Sequence, residues 1–331
     1  MMDPATVDDF GRLVIGALLA HPRATLGQIG RAVRSSEATV SRRVSRLLGS
    51  GAVRVVGVLD LEASQRAQSV LVRLRCSPGA AQRTALQLAQ WPEARSVKLL
   101  TGTVDCVAEL VYASNAHLLH LMMAELPRLD GVVATSSTQV IRRFSTPHGW
   151  NPALLPDDAV RALRAERRDH WDERTYPDQP APLAPLDERL IAQLAEDGRL
   201  GWQELAERCG VMPSTARRHV ESLMARGILR MRTVVEPAVI GLPVDAFIWL
   251  SINPTQLSTA GAILAEHPAV LMIAATTGDR NLCGEIAVAG DRALYDFLAE
   301  TVGHLPGLIH ADVAVELRTV KRAGMISPAD A

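Results

Sequence analysis

Residues 35–54 read SSEATVSRRVSRLLGSGAVR, and the fold of the chain follows from how this stretch divides. Val40, Val44, Leu47 and Leu48 recur at helical spacing and form one apolar stripe. Thr39, Arg42, Arg43 and Arg46 form a second stripe that faces away from it. Ser36 is placed to cap the helix start, and Gly49 and Gly51 end it. Ala52 to Leu59 then carries the β-branched residues of a strand, expected to form a short hairpin arm. One face of the helix packs, and the other presents three arginines to solvent.

At 331 residues the chain exceeds one ordinary core, so two or more domains are expected. No apolar run reaches the roughly 18 residues that span a bilayer. The segment Met1 to Phe10 has Asp3, Asp8 and Asp9 but no basic region of the signal-peptide kind, which makes the cytoplasm the expected compartment. The formal net charge of −1 excludes a generally basic coating protein, so contact with nucleic acid must come from local patches. Lysine occurs only at Lys98 and Lys321, and arginine supplies nearly all positive charge. Cys76, Cys106, Cys209 and Cys283 are widely separated, which argues for small buried residues over a zinc, redox or disulfide motif. Nine histidines show no metal-ligand spacing, and phosphate-loop, dinucleotide and nucleophile-elbow signatures are missing. Neither metal, cofactor nor catalytic residue is expected.

The sequence repeats itself. Adding 176 takes Leu18 to Leu194, Arg23 to Arg199, Arg42 to Arg218, Val44 to Val220, Leu47 to Leu223, Gly51 to Gly227 and Arg54 to Arg230. The same shift takes Thr101 and Gly102 to Thr277 and Gly278, Glu109 to Glu285, and Gly131 to Gly307. A gapless register of this length means two copies of one unit of roughly 150 residues.

In the first copy, Phe10, Leu13, Val14, Ala17 and Leu18 predict an amphipathic helix, and Thr25 caps a second with Leu26, Ile29 and Val33 inward. Together with the Ser36 helix and the following strand, these form a winged helix-turn-helix over residues 1–62. From Ser69 the period changes to two. Residues 66–145 then read as strand, helix, strand, strand, helix, strand, the split βαβ arrangement. In its second helix Asn115 is the expected cap, with Leu118, Leu119, Met122 and Leu126 inside. Residues 146–185 have no counterpart in the repeat and read as a spacer. It opens with a charge-rich helix between Pro156 and Trp171, and Pro177, Pro180, Pro182 and Pro185 make its remainder extended. Residues 186–240 repeat the winged helix-turn-helix, with Pro213 at the first turn of its third helix, and 243–324 repeat the βαββαβ module. The fold class is α+β, two winged helix-turn-helix domains and two ferredoxin-like βαββαβ domains in tandem.

This order, with a Thr-Gly turn before the third strand of each module, resembles the Lrp/AsnC (feast/famine) transcriptional regulators. The specific marks are Arg42, Arg43, Val44, Arg46, Leu47 and Gly51, then Thr101, Gly102 and Asp105, and Leu129 to Val132. The second copy matches at Arg217, Arg218, Val220, Leu223 and Gly227, at Thr277 and Gly278, and at Leu305 to Leu308. The resemblance implies contact with double-stranded DNA by Ser36, Thr39, Arg42, Arg43, Arg46 and Arg54, and by Ser214, Thr215, Arg217, Arg218, Ser222 and Arg230. It also implies a small effector, such as an amino acid, at Thr101, Gly102, Thr103 and Asp105 and at Thr277, Gly278, Asp279 and Asn281. Physically, arginine forks suit guanine edges and phosphates. A glycine turn exposes backbone N–H groups to a carboxylate, with Asp105 beside it for an ammonium. In that family protomers pair through the βαββαβ modules, so one chain would hold both halves of such a pair, and self-association of whole chains is expected. Asn281 in place of Asp105 makes the two turns unequal. Siroheme decarboxylases are similar in architecture and give a rival reading, an enzyme with a tetrapyrrole between the modules; the outward arginine stripes favour the regulator. A ligand sensor that acts only through protein partners is a third.

Overall fold

The computed structural model describes residues 7–59, 67–167, 183–322 and 325–326. Pro177, Pro180 and Pro182 of the expected extended segment lie outside the described residues. In chain order the first copy forms α1 (Asp9–Ala20), α2 (Leu26–Ala32), α3 (Glu37–Gly49), β1 (Val53–Leu59), β2 (Gln68–Cys76), α4 (Ala81–Ala89), β3 (Ala94–Leu100), β4 (Cys106–Tyr112), α5 (Asn115–His120) and β5 (Val132–Ser145). Helix α6 (Asp157–Ala165) follows. The second copy forms α7 (Pro185–Glu196), α8 (Trp202–Cys209), α9 (Pro213–Ala225), β6 (Leu229–Val235), β7 (Val244–Ile252), α10 (Leu257–Glu266), β8 (Val270–Thr276), β9 (Leu282–Val288), α11 (Asp291–Asp296), β10 (Leu308–Arg322) and β11 (Met325–Ile326). The chain divides into two compact units, residues 1–65 with 146–243 and residues 66–145 with 244–331.

The first unit holds both helix-turn-helix domains. Helices α2 and α3 start as their caps dictate: Gln28 N–H donates to Thr25 Oγ1 and Thr39 N–H to Ser36 Oγ. Strand β1 differs from expectation, because it makes no hairpin with its own copy. It pairs antiparallel with β6, from Val53 opposite Val235 to Leu59 opposite Leu229. Among the described residues no strand of its own copy is available to satisfy that edge; the other copy's equivalent strand does so. Gly57 and Gly198 mark how closely this ribbon meets the end of α7. A Cβ on Gly57 would lie 2.8 Å from Leu194 Cβ, and one on Gly198 2.9 Å from the Val56 backbone. Arg23 and Arg199, repeat equivalents, clasp the two domains reciprocally: Arg23 Nη2 donates to Leu200 O (2.9 Å), and Arg199 donates to Pro22 O (2.7 Å) and Ala24 O (3.0 Å).

Helix α1 is not amphipathic in the way its spacing suggests, being buried on every side from Val14 to Ala20. The stretch after residue 145 is the cause and is more than a spacer. Trp150, Leu155, Val160 and Leu163 are buried, α6 packs on α1 and α2, and a Cβ on Gly16 would lie 2.9 Å from Leu154 Cβ.

The second unit holds both βαββαβ modules, each with its helices on one face of a four-stranded sheet in the order β5-β2-β4-β3 or β10-β7-β9-β8. The alternation read in β2 is real: Val70, Val72 and Leu74 face the helices, and Leu71 enters a second core with Val107, Phe247, Trp249, Met272 and Cys283. Strands β5 and β10 run beyond their expected ends at Ile141 and Leu317, because their far halves leave their own module and pair with the other. Glu316, Arg318, Thr319 and Lys321 of β10 lie opposite Leu100, Leu99, Lys98 and Val97 of β3; Val140, Arg142, Arg143 and Ser145 of β5 lie opposite Thr276, Ala275, Ala274 and Ile273 of β8. The two registers are identical under the shift of 176. Two smaller expectations fail. Ser114, not Asn115, caps α5, and Leu119 is 62% exposed; beyond it the helix passes into a π turn over Leu121–Glu125. Cys106, Cys209 and Cys283 are buried as expected, whereas Cys76 is partly exposed.

Candidate nucleic-acid interface and sensing turns

On α3, Val40, Val44 and Leu47 are buried, which fixes the opposite face outward with Arg42 and Arg46 exposed. Arg43 departs from that face. Its guanidinium pairs with Asp8 Oδ2 at 2.6 Å, lies over the Phe10 ring, and the side chain is only 17% exposed. Asp8 also caps α1 by accepting from Gly11 N–H, and these bonds hold its carboxyl below the usual range. Ser36 and Thr39 hydroxyls are bonded to one another at the helix start. Arg54 is exposed on β1.

Helix α9 has the same buried stripe in Ala216, Val220 and Leu223, and exposes Ser214, Arg217, Arg218 and Ser222, with Thr215 half-buried. Arg217 forms a 3.0 Å pair with Glu221. His219, at the position equivalent to Arg43, bonds through Nδ1 to Asp187 of α7 (2.8 Å), and Asp187 also accepts from Ala184 N–H. In both copies, then, the residue at that position ties the third helix to a carboxylate at the start of the first, although Asp8 and Asp187 are not themselves repeat equivalents. Asp8 and Asp187 escaped sequence reasoning; the signal that could have found them is an acid at the helix start paired with a base at the shared repeat position. Arg230 does not match Arg54: it is 3% exposed, because β6 lies against α1 at the level of Thr233, whose Oγ1 donates to Leu18 O.

The Thr-Gly turns carry structural bonds. Val315 N–H donates to Thr101 Oγ1 (3.0 Å) and Thr101 N–H to Val315 O (2.9 Å); Gln139 N–H donates to Thr277 Oγ1 (2.9 Å) and Thr277 N–H to Gln139 O (2.9 Å). Each threonine thus fastens the long strand of the other module. Gly102 and Gly278 take φ of 92° and 94°, which only glycine adopts without strain, and both are exposed. Asp105 is not held ready for an ammonium alone: its Oδ2 accepts from Cys76 N–H at 2.7 Å, pinning the end of β2. Asn281 does the same for β7, accepting from Ile252 N–H and donating to Ile252 O. Thr103 and Asp279 are exposed beside the glycines, and Asp279 Oδ1 accepts from Arg280 N–H.

Among the described residues, no helix is long and apolar enough to cross a membrane. The Lrp/AsnC ligand binding domain profile matches residues 69–148 and 245–326, and the winged helix-turn-helix DNA-binding profile matches 7–54 and 183–230. The HTH-type transcriptional regulator FL11 of Pyrococcus horikoshii is 26% identical over 141 residues, 42% of this chain and 93% of that protein. LrpA of Mycobacterium tuberculosis, also an HTH-type transcriptional regulator, is 30% identical over 118 residues, 35% of this chain and 79% of its own length. The crystal structure of the siroheme decarboxylase NirDL resembles the whole fold, with a TM-score of 0.61 at 14% identity over 96% of this chain and 93% of that one. Relatives of half the length match by sequence, and both of their domain types occur here twice at one offset. The chain belongs to the Lrp/AsnC family of transcriptional regulators, with the winged helix-turn-helix and the ligand-binding domain each duplicated in a single polypeptide.

Proposed function

We propose that this chain is a cytoplasmic, non-enzymatic regulator that reads two unlike half-sites on double-stranded DNA and answers to a small effector such as an amino acid. The observation that carries the reading is the exposed pair Arg42 and Arg46 on a helix whose other face is locked into a core, echoed by Arg218 on α9. Exposed forks on a fixed helix are suited to base edges and phosphates. Arg54 is assigned to backbone phosphate. Arg43 and His219 set the pose of the third helices, Ser36 and Thr39 their starts, and Arg230 the packing of β6. Ser214, Thr215, Arg217 and Ser222 complete the weaker second reader. The effector is assigned to the exposed N–H groups at Gly102, Thr103, Gly278 and Asp279, bordered by Thr101, Asp105, Thr277 and Asn281, where a bound carboxylate would bear on the bonds that join the modules.

Selection of bound fragments from genomic DNA, with and without an amino-acid mixture, tests the reading. Enrichment of one asymmetric motif, altered by the mixture, is expected. No enrichment by the parent, together with a saturable shift of siroheme's visible absorption bands on adding the protein, would replace it with the enzymatic alternative.

A further inference from the structure

The two seams that join the βαββαβ modules share one register and differ in chemistry. In the β3–β10 seam, Lys98 is 3% exposed and its Nζ lies 2.8 Å from Glu285 Oε2 and 2.7 Å from Glu316 Oε2. Thr319 Oγ1 donates to Glu316, and Arg322 Nη2 lies 3.4 Å from Asp245 Oδ2. Subtracting 176 gives the other seam: Ala274 stands for Lys98, Val140 for Glu316, Arg143 for Thr319, Thr146 for Arg322 and Ser69 for Asp245. Only the glutamate is kept, and its partner changes. Glu285 takes its cation, Lys98, from the other module; Glu109 takes Arg143 (2.6 Å) from its own, with Ser69 Oγ donating to it as well.

We propose that the buried Lys98–Glu285–Glu316 cluster is a pairing key that lets each βαββαβ module accept the unlike module and reject a second copy of itself. The pairings that do not occur would leave buried charges unmatched. Two first modules would set Lys98 beside Arg143 with Glu109 as their one shared carboxylate. Two second modules would bury Glu285, Glu316 and Asp245 around Arg322, with Ala274 where the lysine is needed. A buried charge left without its partner is far more costly than the intact pair is favourable, so both like pairings are disfavoured by repulsion and desolvation. The unlike pairing gives Lys98 both glutamates and sets Arg322 beside Asp245. The partner this surface fits is therefore the other half of the same chain, in preference to a second chain.

The test starts from the full-length folded protein, with a protease site inserted between Pro177 and Pro180. After cleavage, unlabelled and 15N-labelled preparations are mixed and the paired halves are weighed by native mass spectrometry. Unlike pairs of mixed label prove that halves have parted and rejoined; the temperature is raised until they appear. For the parent sequence, exchange should yield unlike pairs almost alone. The variant K98A/D245S/E316V/T319R/R322T copies the chemistry of the second seam into the first, at a register the fold already accommodates. It should raise like pairs roughly fivefold or more, toward the random proportion. The converse variant V140E/A274K, which copies the key into the other seam, should do the same. Like pairs in random proportion from the parent, or no rise from either variant while mixed-label unlike pairs form, would overturn the proposal.

Discussion

Arg42 and Arg43 are neighbours in sequence with separate tasks. Arg43 is spent on Asp8, which is itself spent on capping α1, so Arg43→Ala should loosen the seat of α3 and lower stability by about 0.2–1 kcal/mol, the range for such ion pairs. Arg42→Ala with Arg46→Ala touches neither core nor cap. Its denaturation midpoint should stay within about 0.5 kcal/mol of the parent, while the slope of log affinity for DNA against log salt should shrink by roughly 0.9 for each phosphate contact removed. If the double variant binds DNA with the parent's affinity and slope, α3 is not the reader. At the turns, Asn281 shows what position 105 tolerates. Asp105→Asn can accept from Cys76 N–H as Asn281 accepts from Ile252, and should leave the urea midpoint nearly unchanged; Asp105→Ala strands that N–H and should cost about 1–3 kcal/mol. The arginine stripe and the glycine turns were legible from spacing and from φ-demanding glycine. The diversion of Arg43, and the bonds that occupy Thr101 and Asp105, were not, since their partners lie from about 30 to over 200 residues away and periodicity is blind to them.

Strands reveal the same division at the next scale. Helices and strands of each copy could be read from period 3.6 and period 2, because those patterns are set by which face a residue buries in its own module. What an edge pairs with is decided elsewhere. Strand β1 finds β6, and the far halves of β5 and β10 find β8 and β3, so the sequence ends of those strands looked premature. Close approach at these joins is testable. Gly57→Ala places a methyl 2.8 Å from Leu194 Cβ and 3.2 Å from its carbonyl carbon, and should destabilise by about 1–3 kcal/mol in a urea melt. The seams also set a pH response. Burial and the nearby Glu316 push the Asp245 carboxyl up from 3.8 to about 7, even with Arg322 beside it, with Lys98 and Glu285 completing its charged surroundings. Between these values the folded chain holds a proton that the unfolded chain has lost, so this group lowers stability as pH rises from about 4 to 7. Asp245→Asn should remove that part of the slope and be the more stable protein at pH 8. Glu109 acts in the opposite sense. Arg143, Arg95 and Ser69 hold it near 2 against its burial, so its contribution is complete above 4.5 and fades as pH falls toward 2. Thermal melts of parent and variant across pH 4–8 check the first claim, and a parallel slope in both would refute it.

For the molecule as a whole, tandem duplication turns the pairing of two readers from a matter of concentration into one of geometry. A linked second site acts at an effective concentration near millimolar when the tether fits, and adds nothing when the sites cannot be engaged together. In the first unit, the β1–β6 ribbon and the paired arginines are among the contacts that fix how the readers face each other. The β1–β6 ribbon joins them, yet a two-stranded ribbon is soft in twist and only marginally stable by itself. The Arg23–Leu200 and Arg199–Ala24 clasp acts at the helix corners beside it, where it resists rotation of one domain against the other. Both guanidiniums are half-buried, and burial lowers their pKa, yet arginine stays charged, so their hydrogen bonds are charge-assisted and costly to break. It follows that a single chain should engage two half-sites without needing a second chain to bring the readers together. Inserting five base pairs between half-sites, about half a helical turn, should weaken it by roughly tenfold or more. Arg23→Ala with Arg199→Ala frees the rotation while leaving both recognition helices whole. Affinity for an isolated half-site should then be unchanged, whereas the penalty for the five-base-pair insertion should fall severalfold, because a loosened pair of readers follows the displaced half-site. A variant that folds, binds the half-site normally and keeps the full spacing penalty would show that the arginine clasp does not set the angle.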